Sequence, residues 1–264
     1  RLSYVLVDEA AYNAAVHRAG VVMVLLLVVS LFSAGRAHAT QCRAIDGGTP
    51  ALAAIDAETR LRWLDQHLAS GAARARIWAW TWRAAYSGIT IGEVVLALTT
   101  NKTDDRAADI VGATSSFIGV AANVILPLKV MGDQRWWAKH YARSRDDDAC
   151  ALVNTAELLF IRDAESEAFG VGPLVHVGNF VINIAGGLVL GLGYGRWPAF
   201  AYTSLVGIAV GEIQVATQPT DVVEDLRLYR AGELGARPSA PRLGVAMVPL
   251  ILRDGGGASL TMRW

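Results

Sequence analysis

Charged residues are scarce in this 264-residue chain, and that scarcity narrows what the protein can be. Only 18% of the residues are charged, and the 24 basic side chains are matched by 24 acidic ones. A chain with no net positive charge and no basic run lacks the electrostatic footprint of a nucleic-acid-binding protein. We therefore expect no nucleic-acid partner.

Recognised catalytic and metal-binding spacings are absent as well. His67, His140 and the acidic run at 146–148 follow no known metal-ligand pattern. The glycine pair at 186–187 lacks the strand context of a dinucleotide site, and no serine stands in a nucleophile-elbow motif. The sequence predicts no catalytic residue, no metal and no cofactor, and it does not predict an enzyme.

Hydrophobic residues, by contrast, make up 53% of the chain, and the mean hydropathy of +0.34 is high for a soluble domain. They concentrate in four segments, each long enough to cross a bilayer as a helix: 77–99, 107–130, 173–194 and 198–218. Short polar turns join these segments in pairs. The sequence predicts an all-α membrane protein with two hydrophobic helix hairpins, hence four spans, with amphipathic flanking helices and a short C-terminal β-hairpin.

Small residues recur at four-residue intervals along these segments. Residues four apart lie on one face of a helix, and small ones let helix backbones approach closely within a membrane. The pattern predicts packing seams at Ala84, Gly88 and Gly92, at Ser115, Gly119 and Asn123, at Asn179, Asn183, Gly187 and Gly191, and at Thr203, Gly207 and Gly211.

Polar side chains inside the apolar segments are the candidate functional residues, because such groups are costly in lipid. Counting about 1.5 Å per residue from the two turns places Arg83, Asn123, Asn179 and Glu212 at one depth. We expect an ion pair between Arg83 and Glu212, flanked by the asparagines. This network either fixes helix packing or provides a proton or ion path. Secondary candidates are Glu93, His176, Asn183 and Gln214.

An export signal is predicted upstream of these helices. His17 and Arg18 precede an apolar core at 21–33, and Ala37 and Ala39 match the small-residue cleavage site. We expect cleavage after Ala39. The alternative is an anchor that stays uncleaved.

Cys42 and Cys150 are the only two cysteines. Export permits oxidation, and four spans place both cysteines on the same side of the membrane. The sequence therefore predicts a disulfide between them.

The chain divides by composition into four parts. They are an upstream segment and signal (1–39), an exported polar and amphipathic segment (40–76), a four-helix hydrophobic bundle (77–232) with a polar insert at 131–170, and a linker with a β-hairpin (233–264). Alternation of Leu260, Met262 and Trp264 on one face predicts that final hairpin.

The predicted sidedness conflicts with the distribution of positive charge. The two turns expected on the cytoplasmic side carry Lys102, Arg106 and Arg196, whereas the longer segments expected outside carry far more basic residues. This opposes the positive-inside tendency, although long translocated segments are partly exempt. The inner membrane with exported termini is our interpretation, and a periplasmic or outer-membrane-associated protein is the alternative.

The segments 183–190 (NIAGGLVL) and 210–219 (VGEIQVATQP) resemble a loose group of uncharacterised exported bacterial helical membrane proteins. The resemblance covers about residues 75–220 and implies no activity. The sequence favours an envelope protein with a structural or interaction role, which contacts the lipid bilayer and an envelope protein or a second copy. The alternatives are a small transporter or channel component acting through the polar level, and a membrane-embedded enzyme.

Overall fold

The computed structural model describes residues 40–144, 148–235, 244–252 and 255–263, with only the backbone described in the last two stretches. The expected signal, its cleavage site, most of the acidic run at 146–148 and Trp264 lie outside the described residues. From Gln41 onward the described residues belong to one compact unit.

Helices make up most of the described chain, in agreement with the predicted helical class. They are α1 (Pro50–Ala53), α2 (Ala57–Thr99), α3 (Thr103–Ile125), α4 (Val130–Arg143), α5 (Ala149–Gly170), α6 (Pro173–Tyr194), α7 (Trp197–Ala216) and α8 (Asp221–Ala231).

Local sequence signals explain where several of these helices begin and end. The Asp56 carboxylate accepts a hydrogen bond from the Thr59 N–H at 2.9 Å and so caps α2. Pro173 and Pro198 stand in the first turns of α6 and α7, where no intrahelical N–H is required. Gly195 ends α6 with φ of 65°, a conformation that suits glycine.

Helix α2 connects the two parts of the molecule. It has 43 residues, which corresponds to a length of about 65 Å. Its first half, 57–76, packs with α4, α5 and α8, and together with α1 these helices form a unit that we call the head. Its second half, 77–99, packs with α3 and hydrogen-bonds to Gln214 and Thr217 at the end of α7. Together with α6, which packs on α3 and α7, these helices form a unit that we call the bundle. The predicted boundary at residue 76 thus falls inside a single helix.

The head has a hydrophobic core of its own. Leu64 and Leu68 of α2 lie in it beside Trp137, Phe160 and Tyr229, and all five side chains are fully buried. A disulfide between Cys42 and Cys150, with the Cα atoms 5.4 Å apart, ties the segment before α1 to the start of α5. This is the pair that the cysteine count and the expected topology indicated.

Three stretches are long and apolar enough to cross a membrane, and each contains one bundle helix. They are Thr103–Arg143, Ala149–Tyr194 and Trp197–Ala231, whose mean hydropathies over 18 residues are 1.7, 1.7 and 1.4. At most 17% of each window is buried within the protein. These helices suggest membrane association.

The fourth expected span, 77–99, is not among these stretches. Arg83, Glu93 and three tryptophans lower its hydropathy, so length and composition alone do not mark it as a span. The described residues therefore support three candidate spans rather than four. The main helix contacts are nevertheless made in pairs, α2 with α3 and α6 with α7.

Two segments near the C-terminus have extended, paired backbones. β1 (Gly244–Leu252) and β2 (Gly255–Arg263) run antiparallel, with Gly244 opposite Arg263 and Leu252 opposite Gly255. No side-chain contact of this pair is described. The expected hairpin, as a packed element of the fold, stays a prediction.

Candidate functional site

Helices α6 and α7 are closely packed through asparagines that sit against glycines. A Cβ atom at Gly207 would overlap the Asn183 side chain, and one at Gly211 would overlap Asn179. Asn179 Nδ2 donates to the Ile208 carbonyl at 3.1 Å, and Asn183 Nδ2 donates to Asn179 Oδ1 at 2.8 Å. The Nδ2 donors of both amides are therefore satisfied inside the helix pair.

The remaining glycines of the α6 seam also lie at this interface. A Cβ at Gly187 would overlap Ser204, whereas one at Gly191 would come within 3.0 Å of the Trp197 ring. The asparagines and glycines predicted on α6 and α7 are thus at this interface, whereas Thr203 lines the cleft and its neighbour Ser204 makes the contact.

The seam predicted on α2 is not at a helix interface. A Cβ at Gly88 or Gly92 would meet no atom of the described residues within 4 Å. The side chain that fills the space between α2 and α3 is Tyr86, which lies against Gly119. Gly88 is two positions from Tyr86, about 200° around the helix, so it faces the other way.

Arg83 and Glu212 are not partners, and the predicted ion pair is wrong. Glu212 Oε2 lies 2.6 Å from His176 Nδ1, and its Oε1 accepts from Asn179 Nδ2 at 2.9 Å. Arg83 Nη2 donates instead to the Asn123 carbonyl at 2.7 Å. The four residues predicted at one depth therefore separate into two contacts, one within each hairpin.

The orientation of α2 explains this difference. Trp82 Nε1 donates to Thr217 Oγ1 at 3.0 Å, and the Tyr86 hydroxyl donates to Gln214 Oε1 at 2.7 Å. The aromatic face of α2 is thus the one that meets α7. Arg83 follows Trp82 by one residue and points about 100° further round the helix, towards α3.

A cleft of about 1210 Å³ separates the two hairpins. Its lining includes polar side chains from both hairpins and at every depth, namely Asp105, Asp109 and Arg196 near the turns, Glu93, Ser116, Asn123, Asn179 and Asn183 further along, and Gln214 and Gln218 near the head. Such a lining can form hydrogen bonds with water or with the polar part of a ligand. Glu212 is not part of it.

Near the turns the cleft carries an excess of carboxylates. Arg196 Nη1 and Asp105 Oδ1 form an ion pair at 2.7 Å. Within the described residues, Asp109 accepts only a hydroxyl hydrogen bond, from Thr100 at 3.3 Å, and Glu93 lies 3.5 Å from the Ser116 hydroxyl. Glu93, a secondary candidate from the sequence, is therefore a more central group of this cleft than Glu212.

The head contains a buried polar seam that sequence reasoning missed. Arg60 is fully buried, forms an ion pair with Glu157, and donates through Nε to the Tyr229 hydroxyl at 2.9 Å. About four turns of α2 further along, on the same face, Arg74 Nε pairs with Asp221 Oδ2 at 2.7 Å. The sequence does carry a signal for this seam. Arg60, His67 and Arg74 recur every seven residues and so lie on one otherwise apolar face of the helix.

Buried carboxyl groups accompany this seam. Burial raises the pKa of Glu167 to about 8, against the opposing hydrogen bond from the Val222 N–H. Burial, together with the Asp133 carboxyl, raises the pKa of Asp163 to about 9. Burial likewise raises the pKa of Asp225, which His67 and Arg74 oppose. Glu167 and Asp163 are therefore mainly protonated near pH 7.

Comparisons with known proteins add nothing to this geometry, because no protein-family model, no curated protein and no solved structure matches the chain. Within residues 40–144 and 148–235, no group of three or more histidine, cysteine or acidic side chains is placed to hold a metal ion.

Proposed function

We propose that this protein is an integral membrane protein of the bacterial cell envelope with a structural or interaction role. The bundle anchors it in the bilayer and the head is displayed outside the cytoplasm. The observation that carries the proposal is the distribution of exposed apolar side chains. Leu98, Leu174, Leu192 and Leu205 of the bundle are between 67% and 78% exposed, whereas the head buries a core of its own. Lipid is the solvent that such a surface requires.

In this proposal the segment 77–99 crosses the membrane beside α3 as a fourth span. Its two charged residues each have a hydrogen-bond partner on α3. Arg83 donates to the Asn123 carbonyl, and Glu93 accepts from the Ser116 hydroxyl. Polar groups satisfied inside a helix bundle are tolerated at membrane depth. The C-terminal hairpin is then a tail on the head side.

The disulfide supports the proposed sidedness. Disulfides persist in oxidising compartments, and both Cys42 and Cys150 belong to the head. A head outside the cytoplasm places the turns at 100–102 and 195–196 inside. The many basic residues of the head then stand on the translocated side, where long segments are partly exempt from the positive-inside tendency.

Cysteine accessibility tests both insertion and sidedness. Lys139→Cys introduces a thiol on the exposed surface of α4, and Asn101→Cys introduces one in the first turn. In spheroplasts, a membrane-impermeant maleimide should label the Lys139→Cys variant, and it should label the Asn101→Cys variant only after permeabilisation. The reverse pattern would invert the topology, and recovery of the protein in the soluble fraction without detergent would refute the anchor.

The polar cleft favours a second candidate function, that of a transporter or channel component. Ser116 lines the cleft, whereas its neighbour Phe117 is 60% exposed on the outer surface of α3. If the cleft conducts water or solute, a thiol-reactive methanethiosulfonate should modify the Ser116→Cys variant much faster than the Phe117→Cys variant. Equal protection of both would indicate a dry cleft and leave the structural role.

A further inference from the structure

The outer surface of the α2–α3 hairpin carries a groove of about 620 Å³, separate from the cleft. Val94 and Leu98 of α2 form one wall, and Ile110 and Phe117 of α3 form the other. These four side chains are between 44% and 78% exposed. At the end nearest the turn the groove is bounded by Arg106.

The groove is nearly as long as the hydrocarbon layer of one membrane leaflet is thick. It extends along α2 from Leu98, next to the turn, to Thr90, a distance of about 12 Å at 1.5 Å per residue. The hydrocarbon of a leaflet is about 15 Å thick, half of a typical bilayer core. With the turn at the membrane surface, the apolar walls lie at the depth of an acyl chain and Arg106 lies at the depth of a headgroup.

Helix α3 separates its charges between its two faces. Asp105 and Asp109 line the cleft, whereas Arg106 lies at the groove. None of the described residues that line the groove is acidic. Arg106 forms no ion pair within the described residues, and its Nη2 donates only to the Thr100 carbonyl, at 2.9 Å. Because a guanidinium has five N–H donors, it retains donors for an anionic group.

We propose that this groove binds one anionic phospholipid, with an acyl chain along the α2–α3 groove and the phosphate at Arg106. The inference rests on the proposed insertion of the bundle in a membrane. Charge complementarity selects the anionic headgroup, because an arginine near the membrane surface attracts anionic lipid while an apolar groove alone accepts any acyl chain. The groove is independent of the cleft and of whether the cleft is wet.

Native mass spectrometry of the full chain in detergent tests the proposal. The protein is titrated with phosphatidylglycerol and with phosphatidylcholine that has the same acyl chains. We expect one adduct with about fivefold tighter binding of phosphatidylglycerol, the size of effect expected from one arginine at a membrane surface. Soluble glycerol phosphate should not displace the lipid, since it lacks the acyl chain.

Two variants separate the headgroup from the chain. Arg106→Gln should lower the affinity for phosphatidylglycerol to that for phosphatidylcholine. Thr114→Phe should weaken the binding of both lipids, because the larger side chain occupies the groove that Thr114 lines. Arg135→Gln, on the exposed surface of α4 in the head, is the matched control and should leave the preference unchanged.

The failing outcomes are distinct. Equal binding of the two lipids, a preference that survives in Arg106→Gln, or displacement by glycerol phosphate alone would overturn the lipid site. A dimer that Thr114→Phe converts to monomer would show that a second copy occupies the groove, and would also overturn it. Release of the protein from membranes without detergent would instead refute the proposed insertion.

Discussion

Glu167→Gln should remove a large part of the pH dependence of the stability of the head. Glu167 is 1% exposed on α5. Its Oε2 accepts a hydrogen bond from the Val222 N–H at 2.9 Å, at the start of α8, while Oε1 has no hydrogen-bond partner among the described residues. Asp221 and Arg74 lie nearby and act in opposite directions on its charge. Burial dominates and raises the pKa of Glu167 from 4.5 to about 8.

The direction of the pH dependence of stability follows from which state, folded or unfolded, binds the proton. Between about pH 5 and pH 8, the unfolded chain has Glu167 ionised, whereas the folded head keeps it protonated. The unfolded state therefore binds fewer protons, and the free energy of unfolding falls as the pH rises through this window. The slope is about 1.4 kcal/mol per pH unit for one such group, so the total loss is on the order of 3–4 kcal/mol. Well above pH 8 both states are ionised and the slope vanishes.

Glutamine keeps the size of the side chain and an oxygen for the Val222 N–H, but it cannot ionise. The Glu167→Gln variant should match the unmodified protein near pH 5 and exceed its stability by on the order of 3 kcal/mol near pH 8.5. Unfolding in detergent, followed by the fluorescence of Trp63 and Trp137 in the core of the head, gives both values. Asp163 contributes a slope of its own, and the charge of Glu167 is one of the causes that raise the pKa of Asp163, so the difference between the two proteins reports Glu167 together with this interaction.

Glu165→Gln is the control, because Glu165 lies two positions away on the same helix and is exposed. It should leave the pH dependence unchanged. A flat stability profile of the unmodified protein from pH 5 to 8.5 would show that Glu167 is ionised in the folded head, and the burial argument would fail. The same would follow if the Glu165 and Glu167 variants behaved alike.

Three further outcomes are expected from unfolding measurements in detergent. Gly211→Leu should destabilise the bundle by about 1–3 kcal/mol or more, because the leucine side chain would overlap Asn179. Gly88→Leu should be tolerated, because no atom of the described residues lies near that position. Equal effects of the two changes would mean that the α7 seam is not packed. Reduction of the disulfide, whose cysteines are 108 residues apart in sequence, should destabilise the head by about 4 kcal/mol, and no loss beyond error would contradict the loop-closure argument. A double-mutant cycle of His176→Phe with Glu212→Gln should be non-additive by at least about 0.5 kcal/mol, whereas Glu212→Gln with Arg83→Met should be additive. Additivity in the first cycle would refute the His176–Glu212 contact.

The helical class followed from the sequence, because hydrophobic runs and small residues at four-residue intervals constrain a helix locally, whereas the described residues support three of the four expected spans. The start of α2 at Asp56 and the end of α6 at Gly195 likewise depend on a few neighbouring residues. The disulfide could be proposed because only two cysteines exist, so no pairing choice arose. The asparagine and glycine spacing of α6 and α7 identified the residues that meet in that hairpin.

The partner of each polar group was decided only by the tertiary structure. Position along a helix sets depth and relative angle, but the rotation of the whole helix about its axis is set by packing with its neighbours. On α2 the contacts of Trp82 and Tyr86 with α7 fix that rotation, and Arg83 is turned towards Asn123 as a result. Glu212, left without an arginine, pairs with His176 in its own hairpin. The buried seam around Arg60 has the same origin, because it joins α2, α5 and α8, and no local pattern specifies that those three faces meet.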